Sequence, residues 1–227
     1  MIYYTSDLHG FHENIIRLCN RKYKTVEEMN KDIIKKWNAK VKPNDDVYIL
    51  GDMFYKAQDI QQIKDVLKSL NGKKHLIRGN HDKFLNQLNW RDYFEEVVFY
   101  KEISDNNRMV CIFHYPIEEW NGYFRNSYML YGHVHGNDQD IKKHPRKFNV
   151  GVDVNDFEPK TLDELIEKNK GACEYYTQTE RIAWEDDGTP TVITLDECTK
   201  CKECRSCTCG GDEKKCDYYK DKRNDTK

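Results

Sequence analysis

The sequence has no apolar run approaching the ~20 residues that a membrane-spanning helix requires. Its first segment, "MIYYTSDLHG", passes straight into β-prone residues, without the basic stretch, long apolar segment and small-residue cleavage site of a secretory signal. These two absences lead to the expectation of a soluble protein of the cytoplasm. An excess of one charge is missing too: 37 Lys and Arg stand against 39 Asp and Glu, a formal net charge of −2. Wholesale electrostatic binding to nucleic acid is therefore not indicated, and a basic groove would have to be local. Cysteine is scarce through most of the chain. Six of the nine (Cys198, Cys201, Cys204, Cys207, Cys209 and Cys216) crowd into one C-terminal stretch, which speaks against a disulfide framework and for a reducing compartment with a local thiol cluster. No internal repeat is present.

What is there is a recurrence of runs rich in Ile, Val, Tyr and Phe: "IYYTSD" at 2–7, "DVYILGD" at 46–52, "KHLIRGN" at 74–80, "MVCIFHY" at 109–115, "YMLYGHVH" at 128–135 and "FNVGVD" at 148–153. They read as strands. Between the early ones lie helix-period segments: "ENIIRLCN", then "TVEEMNKDIIKKWNAK" with Thr25 and Glu28 placed as a capping box, then "AQDIQQIKDVLKSL" closed by Asn71-Gly72. This alternation predicts an α/β fold with crossover connections, while the closer-spaced later strands predict a second, more antiparallel sheet, with helices outside the two. "TLDELIEKNKG" predicts a closing helix capped by Thr161 and ended by Gly171. The main domain is accordingly expected over 1–170. The extension, 171–227, is expected to hold a β-hairpin at 180–196 around "DDGTP", the cysteine cluster at 198–216 and a mobile tail.

Five of the predicted strands end in a residue that can bind a metal: Asp7 and His9, Asp52, Asn80 and His81, His114, and His133 with His135. A strand places residues i and i+2 on one face, so His133 and His135 are expected to point together. Taken singly, each of these residues has a structural reading as a turn, a helix junction or a core histidine. The carboxyl ends of strands in an α/β sheet, however, open onto one crevice, and five such ends in succession favour one shared site. Oxygen and imidazole ligands without thiolates suit divalent Mn, Fe or Zn, and a carboxylate such as Asp52 can bridge two of them. Two bridged ions can hold a hydroxide nucleophile and absorb charge on a phosphate, so phosphoester hydrolysis is the chemistry most natural to the set.

The motifs "DLH", "GD", "GNHD", "HYP" and "GHVH", in that order, resemble the calcineurin-like metallophosphoesterase superfamily. "HENIIRLC", "HYPIEEWNG", "LYGHVHG" and "NVGVDVNDFEP" are similar to a compact group of small bacterial and phage phosphoesterases, over about residues 1–170. The resemblance implies a four-layer α/β/β/α metallophosphoesterase sandwich with a dinuclear centre. It implies Asp7, His9, Asp52 and His135 around one metal and Asp52, Asn80, His114 and His133 around the other, with His81 protonating the leaving oxygen. Asp52 and His81 would thus be the catalytic pair. Arg78 reads either as a phosphate support or as a structural ion pair, and His12, at a helix start, faces either substrate or solvent. Asp82 either orients the His81 imidazole or complements a helix dipole.

Unlike the larger phosphatases of the superfamily, the second motif reads "GDMFYK", without their further Asp and Arg. This departure shifts the expectation from protein phosphatase towards a phosphodiesterase on a nucleotide-like or other small substrate. Phe54, Tyr55, Tyr115, Trp120 and Tyr123 are aromatic platforms on which a nucleobase could stack, or ordinary core residues. The "CTKCKECRSC" stretch offers a structural Zn site at Cys198, Cys201, Cys204 and Cys207, with disulfides, mobile thiols or an iron–sulfur cluster as the other readings. Two further readings compete with a small-molecule enzyme. One is a nuclease of the same superfamily, and the other a binding or adaptor protein with a vestigial metal centre and a partner-docking cysteine-rich tail.

Overall fold

The computed structural model describes residues 1–55, 59–137 and 144–169, together with the strands at 176–184 and 190–198. In the first half of the chain the β-prone runs pair side by side. Strands β1 (Ile2–Thr5), β2 (Asp46–Ile49), β3 (Lys73–Ile77) and β4 (Glu96–Val98) form a wholly parallel sheet in that order. The connections are the predicted helices. α1 (Glu13–Leu18) and α2 (Val26–Lys40) lie between β1 and β2, and α3 (Ile60–Ser69) lies between β2 and β3. Thr25 caps α2 by accepting from Glu28 N, and the Glu28 carboxylate reaches back to Lys24 N, one residue before the usual partner in a capping box. Met29, Ile33 and Trp37 of α2 recur at helical spacing and are buried with Ile63 and Leu67 of α3. They pack in one core with Tyr3, Val47, Ile49 and Leu76 of the sheet, so period 3.6 meets period 2 across one face.

The other sheet comprises β5 (Tyr100–Asp105), β6 (Arg108–Phe113), β7 (Tyr128–Tyr131) and β8 (Lys147–Asn149) in that order. β5 and β6 form a hairpin through Asn106 and Asn107, both at positive φ, the conformation a two-residue turn of this hand requires. The expectation of a more antiparallel sheet holds only there, because β6–β7 and β7–β8 are parallel. The reason is the connections: the segments 114–127 and 132–146 are long enough to cross over rather than turn back, which puts the ends of β6 and β7, and with them His114 and His133, at the same sheet edge. The two sheets meet through Tyr4 of β1, whose hydroxyl donates to Asp105 of β5, and through Tyr48 of β2, whose ring centroid lies 6.0 Å from Lys101 Nζ of β5 and which stacks between Tyr4 and His75 of its own sheet. On its outer face the second sheet is covered by the segment after β6, where Ile117, Trp120 and Tyr123 pack on Cys111, Met129 and Tyr131. The result is a mixed α/β sandwich of two sheets and flanking layers.

α4 (Leu162–Asn169) opens with the predicted Thr161 cap, here reciprocal with Glu164. Two compact units divide within it, Met1–Leu165 and Ile166–Lys227. The second unit contains a hairpin of β9 (Tyr176–Trp184) and β10 (Pro190–Cys198), in register from Tyr176↔Cys198 to Pro190↔Trp184. Cys198 ends β10, while Cys201, Cys204, Cys207, Cys209, Cys216, Gly171 and the expected mobile tail lie outside the described residues. Among the described residues no helix is long and apolar enough to cross a membrane.

Candidate metal centre

At the carboxyl edge of the strands the chain leaves each sheet through a short loop, and the loops converge. Ligand atoms of Asp7, His9 and His135 lie within 4.8 Å of one another, and so do those of Asp52, His114 and His133. Asp52 stands between the two groups: its Oδ2 is 3.7 Å from His9 Nε2 and 3.5 Å from His114 Nε2. Its Oδ1 accepts the backbone N–H of His81, which fixes the carboxylate plane. Asn80 Oδ1 lies 3.0 Å from His114 Nε2. The His81 ring sits at the rim, with Nε2 4.0 Å from Asp52 Oδ2 and its side chain 37% exposed.

The backbone here is held away from its usual conformations. Asp7, His9, Asp52, His133 and His135 all have φ between 50° and 71°, a region that costs a residue with a Cβ about 1 kcal/mol or more. This corrects the expectation that His133 and His135 share a strand face. β7 stops at Tyr131, and two left-handed residues turn the imidazoles into separate groups. The Asp7 carboxylate stabilises this turn by accepting the N–H of His133 at 2.9 Å. Gly132 precedes it because a β-carbon there would overlap Ser6 Oγ and lie 2.5 Å from Asp7 Oδ2.

Three residues hold the ligands in place from behind, and sequence reasoning missed the role of each. Asp153 accepts from His135 Nδ1 at 2.7 Å. It is itself gripped by Arg21, whose Nε and a terminal nitrogen donate to its two oxygens while the guanidinium also donates to the carbonyls of Asp7 and Leu8. A carboxylate held this way has only lone pairs to offer, so Nδ1 of His135 carries the proton and Nε2 is turned to the centre. Cys19 groups with His135 and Asp153, but the Arg21 charge on Asp153 makes that grouping a support of His135 rather than a separate cation site. The third residue is Asp82, which neither orients His81 nor serves a dipole. Its buried carboxylate accepts from Asp52 N, Met53 N and Gly79 N, tying the "GD" loop to the "GNHD" loop. Asp153 could have been suspected from its place after the run "FNVGVD", whereas Arg21, 132 residues away, carries no local signal.

The remaining candidates separate. Arg78 pairs with no carboxylate in the geometry described; its guanidinium lies 5.8 Å from the Phe99 ring. His12 is the N-cap residue of α1, stacks on Tyr55 with 3.8 Å between centroids, and touches His9 through Nδ1 at 3.4 Å. Of the proposed aromatic platforms, Phe54 is buried between Phe11 and Phe84, and Trp120 is buried with its Nε1 donating to Ser127, beside Tyr123. Phe54 and Trp120 are core, and Tyr123 is partly buried against it. Only Tyr55 and Tyr115 border the centre, against His81 and His133 respectively.

The electrostatics fit a divalent ion. Burial drives the His9 ring down to about 3, against the pull of Asp52, so His9 is neutral, and its buried Nε2 has no hydrogen-bond partner. Burial pushes the Asp7 carboxyl up to about 6. Burial also works against charge on His135 and His114. It is outweighed in His135 chiefly by Asp153, with Cys19 and Asp7 adding, which lifts that ring to about 10; in His114 the Asp52 carboxylate raises the ring. His114 Nδ1 is committed to the carbonyl of Leu50, so its Nε2 turns towards the oxygens of Asn80 and Asp52. Two buried carboxylates, an orphaned imidazole nitrogen and converging oxygens are the surroundings that a cation would neutralise.

The family model for calcineurin-like phosphoesterases matches residues 1–198. The chain belongs to that family. This calcineurin-like phosphoesterase is 36% identical over 176 residues to the uncharacterised protein MJ1445 of Methanocaldococcus jannaschii, a match covering 74% of this chain and 93% of that protein. A solved structure, the protein of unknown function AQ665 from Aquifex aeolicus, is similar with a TM-score of 0.59 and 31% identity, over 74% of this chain and 98% of that one. Members of the family typically use divalent metals, and the groups around Asp7, His9, Asp52, His114 and His133 are this member's candidate ligands.

Proposed function

We propose that this chain is a dinuclear metal-dependent phosphoesterase, and a phosphodiesterase on a nucleotide-like or other small substrate in particular. One observation carries the reading: the single carboxylate of Asp52 reaches towards imidazole nitrogens of both ligand groups. Asp7, His9, Asp52 and His135 would hold one ion, and Asp52, Asn80, His114 and His133 the other; Mn, Fe or Zn suits these donors. Such ions supply Lewis acidity towards phosphoryl oxygens and acidify water.

The chain's own residues do the rest. Asp7 and Asp52 place negative charge between the imidazoles, and the N–H of His81 holds Asp52 in the orientation that serves both groups. His81, at the solvent-facing rim and within 4.0 Å of the shared carboxylate, is positioned to hand a proton to the departing oxygen. The "GDMFYK" loop carries neither the Asp nor the Arg that the larger phosphatases have after the same Gly-Asp pair. Instead Met53 and Phe54 turn into the core.

Purified full-length protein with Mn²⁺ should hydrolyse an activated phosphodiester. Asp52→Asn should lower the rate by at least about a hundredfold while circular dichroism remains native, and His81→Ala by about 10²-fold through lost proton transfer. Equal turnover by wild type and Asp52→Asn would refute the assignment.

A further inference from the structure

Among the described residues few large apolar side chains are exposed, and two of them, Tyr100 and Tyr115, belong to one connected line of rings. Tyr100 and Phe113 face each other across the β5–β6 ladder with centroids 6.3 Å apart. Phe113 meets Tyr115 at 5.5 Å, and Tyr115 meets His133 at 4.6 Å and His114 at 4.8 Å. The line therefore begins on the outer sheet and ends on two candidate metal ligands. Neighbouring rings are inclined by 62° to 74° along it, so Tyr115 is braced edge-on by its neighbours while 36% of its surface stays open to solvent. Core aromatics of this protein, such as Trp120, are covered, and the exposure of Tyr115 beside a buried ionic centre is not explained by packing.

An exposed, braced aromatic ring next to a phosphate-processing centre suits a flat group attached to the phosphate, because every nucleobase offers a π-face to stack. The far end of the line limits its reach. Tyr100 donates its hydroxyl to Glu102, whose other oxygen accepts from Asn121. A carboxylate at that point repels a further phosphate, so the line accommodates bases but not a continuing polyanion. Resting on the phosphodiesterase reading above, we propose that Tyr115, backed by Phe113 and Tyr100, is a base-stacking subsite, and that the substrate is a nucleotidyl phosphodiester of one or two nucleotides.

The test is equilibrium binding to the full-length, Mn²⁺-loaded chain, which needs no turnover. Deoxyadenosine 5′-monophosphate should bind about tenfold more tightly than 2-deoxyribose 5-phosphate, the increment of one stacked base. Tyr115→Ala should bring that ratio towards one, and Tyr115→Phe should keep it. Equal affinities in the wild type, or a ratio unmoved by Tyr115→Ala, overturn the proposal. A dinucleotide and a ten-nucleotide single strand, both with hydrolysis-resistant phosphorothioate linkages, should bind alike; a strand bound more than about tenfold tighter overturns the size limit and makes a polymer the substrate. If no activated phosphodiester is hydrolysed while the base-dependent ratio stands, the phosphoesterase reading fails and the stacking subsite does not.

Discussion

Asp82 is the residue whose replacement most directly probes how the centre is built. Its side chain is buried, and its two oxygens accept three backbone N–H groups, from Gly79 at 2.7 Å, Met53 at 2.9 Å and Asp52 at 3.0 Å. Burial raises its carboxyl above the ordinary range, with the N–H donors opposing and the nearby Asp52 charge assisting. Asp82→Ala strands three buried donors, each worth about 1–3 kcal/mol when left unsatisfied, so a loss of about 3–9 kcal/mol is expected. That is a large part of the about 5–15 kcal/mol margin of an ordinary domain. Asp82→Asn can keep the two donors that share Oδ2 but turns its amide hydrogens on Met53 N–H, and about 2 kcal/mol is expected. Both should weaken Mn²⁺ binding, because Asp52 loses the anchor that holds it at φ 53°. Urea unfolding of chelator-treated protein gives the stability, and calorimetric titration with Mn²⁺ gives the affinity. Asp82→Ala within about 1 kcal/mol of wild type, or with unchanged Mn²⁺ affinity, would show that the two loops are held together by something else.

Gly79→Ala should also damage the centre, since the added β-carbon would overlap the Asp52 carboxylate and lie 2.6 Å from the Asp52 backbone nitrogen; a Mn²⁺ affinity lower by at least about tenfold is expected from titration. Arg21→Met leaves the buried Asp153 with His135 as its remaining charged partner, a loss of about 3 kcal/mol, and metal analysis after dialysis should show a lower ion content than wild type. Retention of both stability and metal would sink the supporting role of the pair. Glu96 accepts from Lys101 and His75; burial raises its carboxyl, but these partners outweigh it and hold it below the ordinary glutamate range. A depressed carboxyl stabilises the fold above the unfolded carboxyl range and loses that contribution as pH falls through its folded value. Glu96→Gln should therefore lower the melting temperature at pH 7 by the equivalent of about 0.5–1 kcal/mol. The difference should vanish in acid, and a gap that persists or widens there would reverse the assigned sign.

Much of this protein was legible in its sequence, because the readable features are local. The β-prone runs "IYYT" and "DVYI" are buried on both faces, the period-3.6 run from Met29 to Trp37 buries one face of its helix, and Thr25 and Thr161 cap helices within three residues. The candidate ligands were legible for a related reason: parallel strands share one carboxyl edge, so residues that end successive runs share a crevice whatever the details of packing. Partners distant in sequence were not legible. The grip of Arg21 on Asp153, the choice of three backbone donors by Asp82, and the burial of Phe54 and Trp120 against the exposure of Tyr115 are decided by which surfaces meet. No periodicity records that. Nor does a residue's identity announce the left-handed backbone of Asp7, His9, Asp52, His133 and His135, since aspartate and histidine prefer other conformations in isolation and adopt this one only when the surrounding loops leave no other. Residue types and their order thus determined the chemistry available at the sheet edge. Tertiary packing decided how each side chain is aimed, because orientation is a property of the neighbours that press on it.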